Sequence, residues 1–104
     1  MNTLERTPEQ LNRYGLFLVA QERELAEKLG QAVPPAKDVD GKDRAAVEDA
    51  VSEAFVHLID VRMKVWGDGV DPVAWQRTRV EDGRTGEEIF KELDDLVHEF
   101  SRMT

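Results

Sequence analysis

Two histidines in 104 residues, each with carboxylates one helical turn away, are where this sequence could do chemistry. Glu53, His57 and Asp60 share one helix face, and Asp94, Asp95 and His98 repeat the grouping near the C-terminal end. Facing helices that each offer carboxylate and imidazole are how helical bundles hold metal ions. The spacing is loose, however. His98 falls opposite Leu93, Leu96 and Phe100 and therefore faces solvent, while His57 lies at the boundary of its helix's apolar arc. A solvated polar face accounts for all of these residues, so neither a metal nor another cofactor is expected.

Other carboxylates invite two further readings. "EEIFKELDD" (87–95) looks like half of the paired-carboxylate set with which all-α nucleotide pyrophosphohydrolases hold Mg²⁺ between adjacent helices. The other half is missing, because no helix offers an inward-facing pair of Glu opposite it. A metal-dependent all-α hydrolase is thus an alternative rather than the leading reading. Glu88, Glu92, Asp95 and Glu99 read instead as the solvated acidic face of an amphipathic helix, supported by Lys91 and Arg102 and suited to a basic partner. "DVDGKD" (38–43) has its glycine two residues too early for a calcium loop and no closing Glu, so it reads as a turn. The absence of cysteine excludes disulfides, thiolate metal sites and thiol nucleophiles. With no Gly-rich phosphate loop and no nucleophile elbow, covalent catalysis has no candidate residue.

The elements that would position these groups are helices. Thr7, Pro8 and Gln10 form a capping box with proline at the first helical position, predicting a helix over 8–30. "AVPPAKDVDGKD" ends it, and Asp43 caps a second helix over 44–66 that stops at Gly67. A short helix over 72–77 lays Trp75 on the core, and Thr85 with Glu88 makes a second capping box that opens a helix over 86–102. No segment alternates with period two. The expected fold is all-α: three long helices and one short one, arranged as an antiparallel hairpin or bundle in a single domain over 1–104.

Apolar periodicity then raises a question of cover. "YGLFLVA" (14–20) is apolar all round its helix, and Glu22 interrupts the stripe that continues through Leu25, Ala26 and Leu29. The second helix carries two adjacent stripes, Val47 to Val65 and Phe55 to Trp66, whereas the last helix has one: Ile89, Leu93, Leu96, Val97, Phe100 and Met103. One single-striped helix cannot cover two double-faced ones. Leu16, Phe17, Phe55, Ile59, Arg62 and Met63 are therefore the expected interface of a homodimer. The competing reading has the short helix and the "VPPA" loop cover that face within one chain. Glu22 and Arg62 are poorly matched inside an antiparallel hairpin, where Glu22 lies level with about Glu53. They either pair across a dimer or act alone, with Arg62 reaching over Trp66 and Glu22 at the edge of the helix contact.

Twenty-two acidic against fourteen basic side chains give a net charge of −8, which repels phosphate backbones and argues against direct nucleic-acid binding. Apolar residues at 40% and charged residues at 35% fit a globular protein. No apolar run reaches the roughly 20 residues of a membrane span, and the N-terminus lacks a leader pattern, which points to a cytoplasmic protein without membrane contact. "DPVAWQRTRVEDGRTGEEIFKEL" (71–93) resembles the C-terminal segment of small addiction-module antitoxins, through Trp75, Gly83, Glu87, Glu88, Phe90 and Leu93, without their N-terminal DNA-binding part. The leading expectation is a small acidic non-enzymatic protein–protein interaction module, an adaptor, regulator or inhibitor acting as a helical homodimer. The alternatives are an acidic inhibitor of a nucleic-acid-binding machine, mimicking nucleic acid or acting like an antitoxin, and the metal-dependent hydrolase.

Overall fold

Capping chemistry sets the helix starts. In the computed structural model, which describes residues 7–67 and 72–102, Thr7 Oγ1 accepts from Gln10 N (3.2 Å) and Gln10 Oε1 accepts from Thr7 N (2.9 Å). These bonds open α1 (Pro8–Lys28). Asp43 accepts from Ala46 N at 3.2 Å to open α2 (Arg44–Arg62), which runs on into a π-helical turn, Met63–Gly67. After α3 (Pro72–Arg77), Thr85 and Glu88 exchange backbone-to-side-chain bonds of 3.3 and 3.4 Å and open α4 (Gly86–Arg102). α1 stops two residues before the expected end. Gly30 takes φ 71°, Gly30 N donates to Glu27 O and Gln31 N to Ala26 O, which is the pairing that closes a helix through a left-handed residue.

All four helices pack against one another. The packing direction differs from the expected antiparallel hairpin. Gly15 of α1 faces Val47 and Val51 of α2, and Glu22, two turns further on, meets His57, also further on. Contacts that advance together in both chains mean that α1 and α2 run parallel. α4 is the antiparallel member: Arg44 reaches the carbonyl of Phe100, the rings of Phe55 and Phe90 meet at a tilt and Arg62 pairs with Glu87. The physical reason lies in the connection. Pro34 and Pro35 disfavour a helical turn at the residue before each, and the loop does not turn at once but runs back along α1, passing Arg23 at Pro34 and Asn12 at Gly41. At up to about 3.3 Å per residue, it retraces α1 and delivers α2 to the same end at which α1 began.

Leu18, Leu25, Val47, Val51, Leu58, Val61, Ile89, Leu93, Leu96 and Phe100 form the shared core and are at most 1% exposed. Two glycines permit it. A Cβ on Gly15 would stand 2.9 Å from Val51 Cγ2, and one on Gly86 would stand 2.8 Å from the Trp75 ring, so α1 meets α2, and α4 meets Trp75, through bare backbone. The returning loop covers the second face of α1: Val33 and Val39 pack on the core, and a Cβ on Gly41 would lie 3.6 Å from Leu16 Cδ1. Among the described residues no helix is long and apolar enough to cross a membrane.

Candidate functional site

Glu22 is where α1, α2 and the returning loop meet. Its position on the apolar stripe carries it inside, and it is only 2% exposed. Taking a carboxylate out of water is costly unless something compensates. The compensation is His57 of α2, whose Nδ1 lies 2.8 Å from Glu22 Oε2 and whose Nε2 lies 2.9 Å from the carbonyl of Ala32. Burial holds the Glu22 carboxyl above its ordinary value of 4.5, while the hydrogen bond and charge of His57, and the charge of Arg23, pull the other way. The parallel arrangement makes the meeting possible, because a constant offset of about 35 positions brings residue 22 opposite residue 57.

Three other bonds hold the loop over this pair. Arg23 Nη1 donates to Pro34 O at 2.6 Å, Asn12 Nδ2 donates to Gly41 O at 3.0 Å, and Lys37 pairs with Glu53 at 2.9 Å. Beneath the loop lies a cavity of about 120 Å³, with Glu22 and His57 among its walls.

A second polar knot lies further along α2. Trp75, fully buried, donates Nε1–H to Glu87 Oε1 at 2.6 Å, and Arg62 Nε donates to the same oxygen at 2.8 Å. Arg62 also stacks over Trp66 (4.9 Å) and Phe90 (5.5 Å). Its reach over Trp66 was the simpler of the two sequence readings, and Glu87 was the partner that reading lacked. Glu22, by contrast, does not sit at the edge of the contact but in its middle.

The six residues expected at an interface do not come together. Phe17 (40% exposed) lies beside Tyr14 and under Arg84, on the α1 flank of α4. Leu16 is half-buried under the loop. Phe55 is half-buried against Phe90 on the α2 flank, near Arg62. Ile59 and Met63 remain neighbours on the outer face of α2, together with Trp66, which sequence reasoning put on the stripe but not in the interface, and Val56, which it left out of both. Val56 and Met63 are each 65% exposed and Trp66 40%. The 3–4–3 spacing of positions 56, 59, 63 and 66 was the signal that could have found them.

The acidic row divides as well. Glu88 is spent on the α4 cap, and Glu92 accepts from Tyr14 Oη at 2.6 Å, with Arg84 Nε 2.8 Å from its other oxygen but outside hydrogen-bond alignment. Asp95 is exposed and Glu99 half-exposed. Of the residues first considered as metal ligands, Glu53 is taken by Lys37, Asp60 by Lys64, and His57 by Glu22 and Ala32. His98 is exposed, with Nδ1 2.8 Å from the Asp94 carbonyl. Among the described residues no three His, Asp or Glu side chains converge.

No family model matches the chain, and no curated protein or solved structure is significantly similar to it. The likeness of residues 71–93 to antitoxin tails therefore stands on those residues alone.

Proposed function

We propose that this chain is a non-enzymatic protein–protein interaction module of the cytoplasm, and that it assembles as a symmetric homodimer through the outer face of α2 and the turn that extends it. The observation that carries this reading is the run of exposed apolar side chains there, Val56, Met63 and Trp66, with half-buried Ile59 between them. Single exposed apolar residues are ordinary, but a stripe on successive turns is an association surface.

The occupant best suited to it is a second copy. Turned antiparallel about a two-fold axis between residues 57 and 58, the stripe sets Val56 on the second copy's Ile59 and Ser52 on its Met63. The same register brings Lys64, which pairs with Asp60 of its own chain, within a turn of the second copy's exposed Asp49, so opposite charges lie along the flank. Asp95, exposed on the outward side of α4, is offered to a basic protein surface, with attraction that weakens as salt rises. A nucleic-acid mimic needs an unbroken row of outward carboxylates, whereas Glu88 and Glu92 are engaged within the chain.

Light scattering on the intact chain tests the proposal. The expected mass is about twice 11.8 kDa, falling to the single-chain value in Met63→Glu with helical circular dichroism unchanged, while Phe17→Glu keeps the dimer. A single-chain mass for the unaltered protein at every concentration, or a dimer untouched by both Met63→Glu and Val56→Glu, overturns it.

A further inference from the structure

The imidazole of His57 bridges a helix and the loop that covers it. Nδ1 lies 2.8 Å from Glu22 Oε2 on α1, and Nε2 lies 2.9 Å from the carbonyl of Ala32, near the start of the returning loop. Both contacts have hydrogen-bond length, so each holds a hydrogen. The carbonyl can only accept, which places one hydrogen on Nε2. The other lies between Nδ1 and Oε2, on nitrogen or on oxygen. A neutral imidazole carries one hydrogen and an ionised carboxylate none, so the bridge needs one proton more than its two groups keep in alkaline solution.

That requirement gives the bridge a direction. Adding a proton leaves both bonds in place, since an imidazolium donates from both nitrogens and a carboxylic acid still accepts on its carbonyl oxygen. Removing one leaves a single hydrogen for two acceptors. Glu22 is 2% exposed, so a carboxylate there without the His57 hydrogen is a buried charge that has lost a partner. Ala32 is exposed, and its carbonyl can turn to water instead. Nδ1 therefore keeps the hydrogen, Nε2 loses it, and the contact that fails is the one to the loop.

The neighbouring charges leave that choice standing. Arg23 on α1 favours an ionised Glu22, but its Nη1 donates to the Pro34 carbonyl. On α2, Glu53 is held by Lys37 of the loop and Asp60 by Lys64. α4 contributes no residue to the cavity wall here. Among the described residues the main chain of 32–39 makes no backbone–backbone hydrogen bond, so this stretch depends on the side chains that reach it. Two of those anchors, Arg23 on Pro34 and Glu53 on Lys37, are exposed and hold weakly.

We propose that His57 is a proton-operated latch: the bridge from Glu22 to Ala32 holds residues 32–39 on α1 and α2 while it keeps its extra proton, and loss of that proton as pH rises frees the loop and opens the face made by Val19, Ala50 and Ala54. The closed form binds one proton more than the open form, so alkali favours opening and acid reverses it. Burial, which raises the Glu22 carboxyl against the opposing pull of His57 and Arg23, helps to retain the shared proton. No residue of the outer α2 stripe lines this face, so the latch and the proposed dimer can fail separately.

The test is heteronuclear NMR of the intact chain from about pH 5 to about pH 10, reading the two ring nitrogens of His57 and the carbonyl carbon of Ala32. As pH rises, Nε2 is expected to become the bare nitrogen while Nδ1 carries the hydrogen. The Ala32 carbonyl and the amides of Val33 and Ala36 are expected to shift with the same midpoint. Glu22→Gln is expected to keep the loop closed to the alkaline limit, because its amide N–H donates to Nδ1 and leaves the imidazole's one hydrogen for Ala32. A His57 that ends with its hydrogen on Nε2, or that titrates without moving the Ala32 carbonyl, overturns the proposal on the unaltered chain alone. So does a bridge that releases no proton before the helices unfold.

Discussion

α4 and the returning loop cover opposite sides of the α1–α2 pair, and they do so by different physics. α4 presses one apolar stripe, Ile89, Leu93, Leu96 and Phe100, into the groove, and each of the four is at most 1% exposed. The loop sets Val33 and Val39 against the core, but both stay only partly buried. It is held mainly by side chains of the helices reaching its backbone carbonyls: His57 to Ala32, Arg23 to Pro34 and Asn12 to Gly41. Burial of apolar area is cooperative and strong, whereas each such hydrogen bond adds only about 1 kcal/mol net. The molecule therefore has a firmly sealed side and a lightly latched side, and the buried Glu22–His57 pair and the cavity belong to the latched side.

The contrast can be broken most forcefully from the sealed side. Phe100→Ala should cost about 4 kcal/mol in urea unfolding, and the loss should be global, with protection from hydrogen exchange falling in every helix. His57→Ala comes next, at about 3 kcal/mol, because it strands Glu22 without its partner. Its distinguishing mark is local: backbone amides of 32–41 should exchange faster than the stability loss alone requires.

The same pair sets a pH dependence. Burial raises the folded-state carboxyl of Glu22 above 4.5, so the folded chain holds that proton more tightly than the unfolded one. Its contribution to stability is therefore greatest below 4.5 and is lost as pH rises through the raised folded value. Glu22→Gln does not titrate. The stability of the unaltered chain minus that of the variant should fall with rising pH from 4.5 and then level off, as read by urea unfolding at a series of pH values.

Asn12→Ala should remove about 1 kcal/mol and increase cleavage of the loop by a protease, leaving α4 protected. The smallest effect expected is that of Lys37→Ala, within about 0.5 kcal/mol, since the Lys37–Glu53 pair is exposed. If Asn12→Ala instead loosened α4 as much as the loop, the two covers would be one cooperative unit and the contrast between them would fail.

These two sides also differ in how far they could be read in advance. The α3 and α4 bounds, 72–77 and 86–102, agree with the structure because capping boxes and 3.6-residue periodicity are local. α2 reached its expected length but changed character at Met63, where the π turn carries it to Gly67. The direction of α2 was misread because a Pro-containing break looks the same whether it turns at once or runs back along a helix. The one warning was its length, longer than most helix connections. Glu22 was recognised as misplaced on an apolar stripe, yet its partner was sought in Arg62, since the antiparallel register set Glu22 opposite Glu53, one turn short of His57.

By itself, then, the sequence determined the helical class, the starts of the helices and the stripe that α4 buries, because these rest on bonds and spacings within four residues. Only the tertiary structure decided that α1 and α2 run parallel, that the loop roofs a cavity, and that Glu22 is matched by His57. Those outcomes depend on contacts between residues 11 to 35 positions apart, several of them to backbone carbonyls, which every residue possesses and no sequence pattern marks.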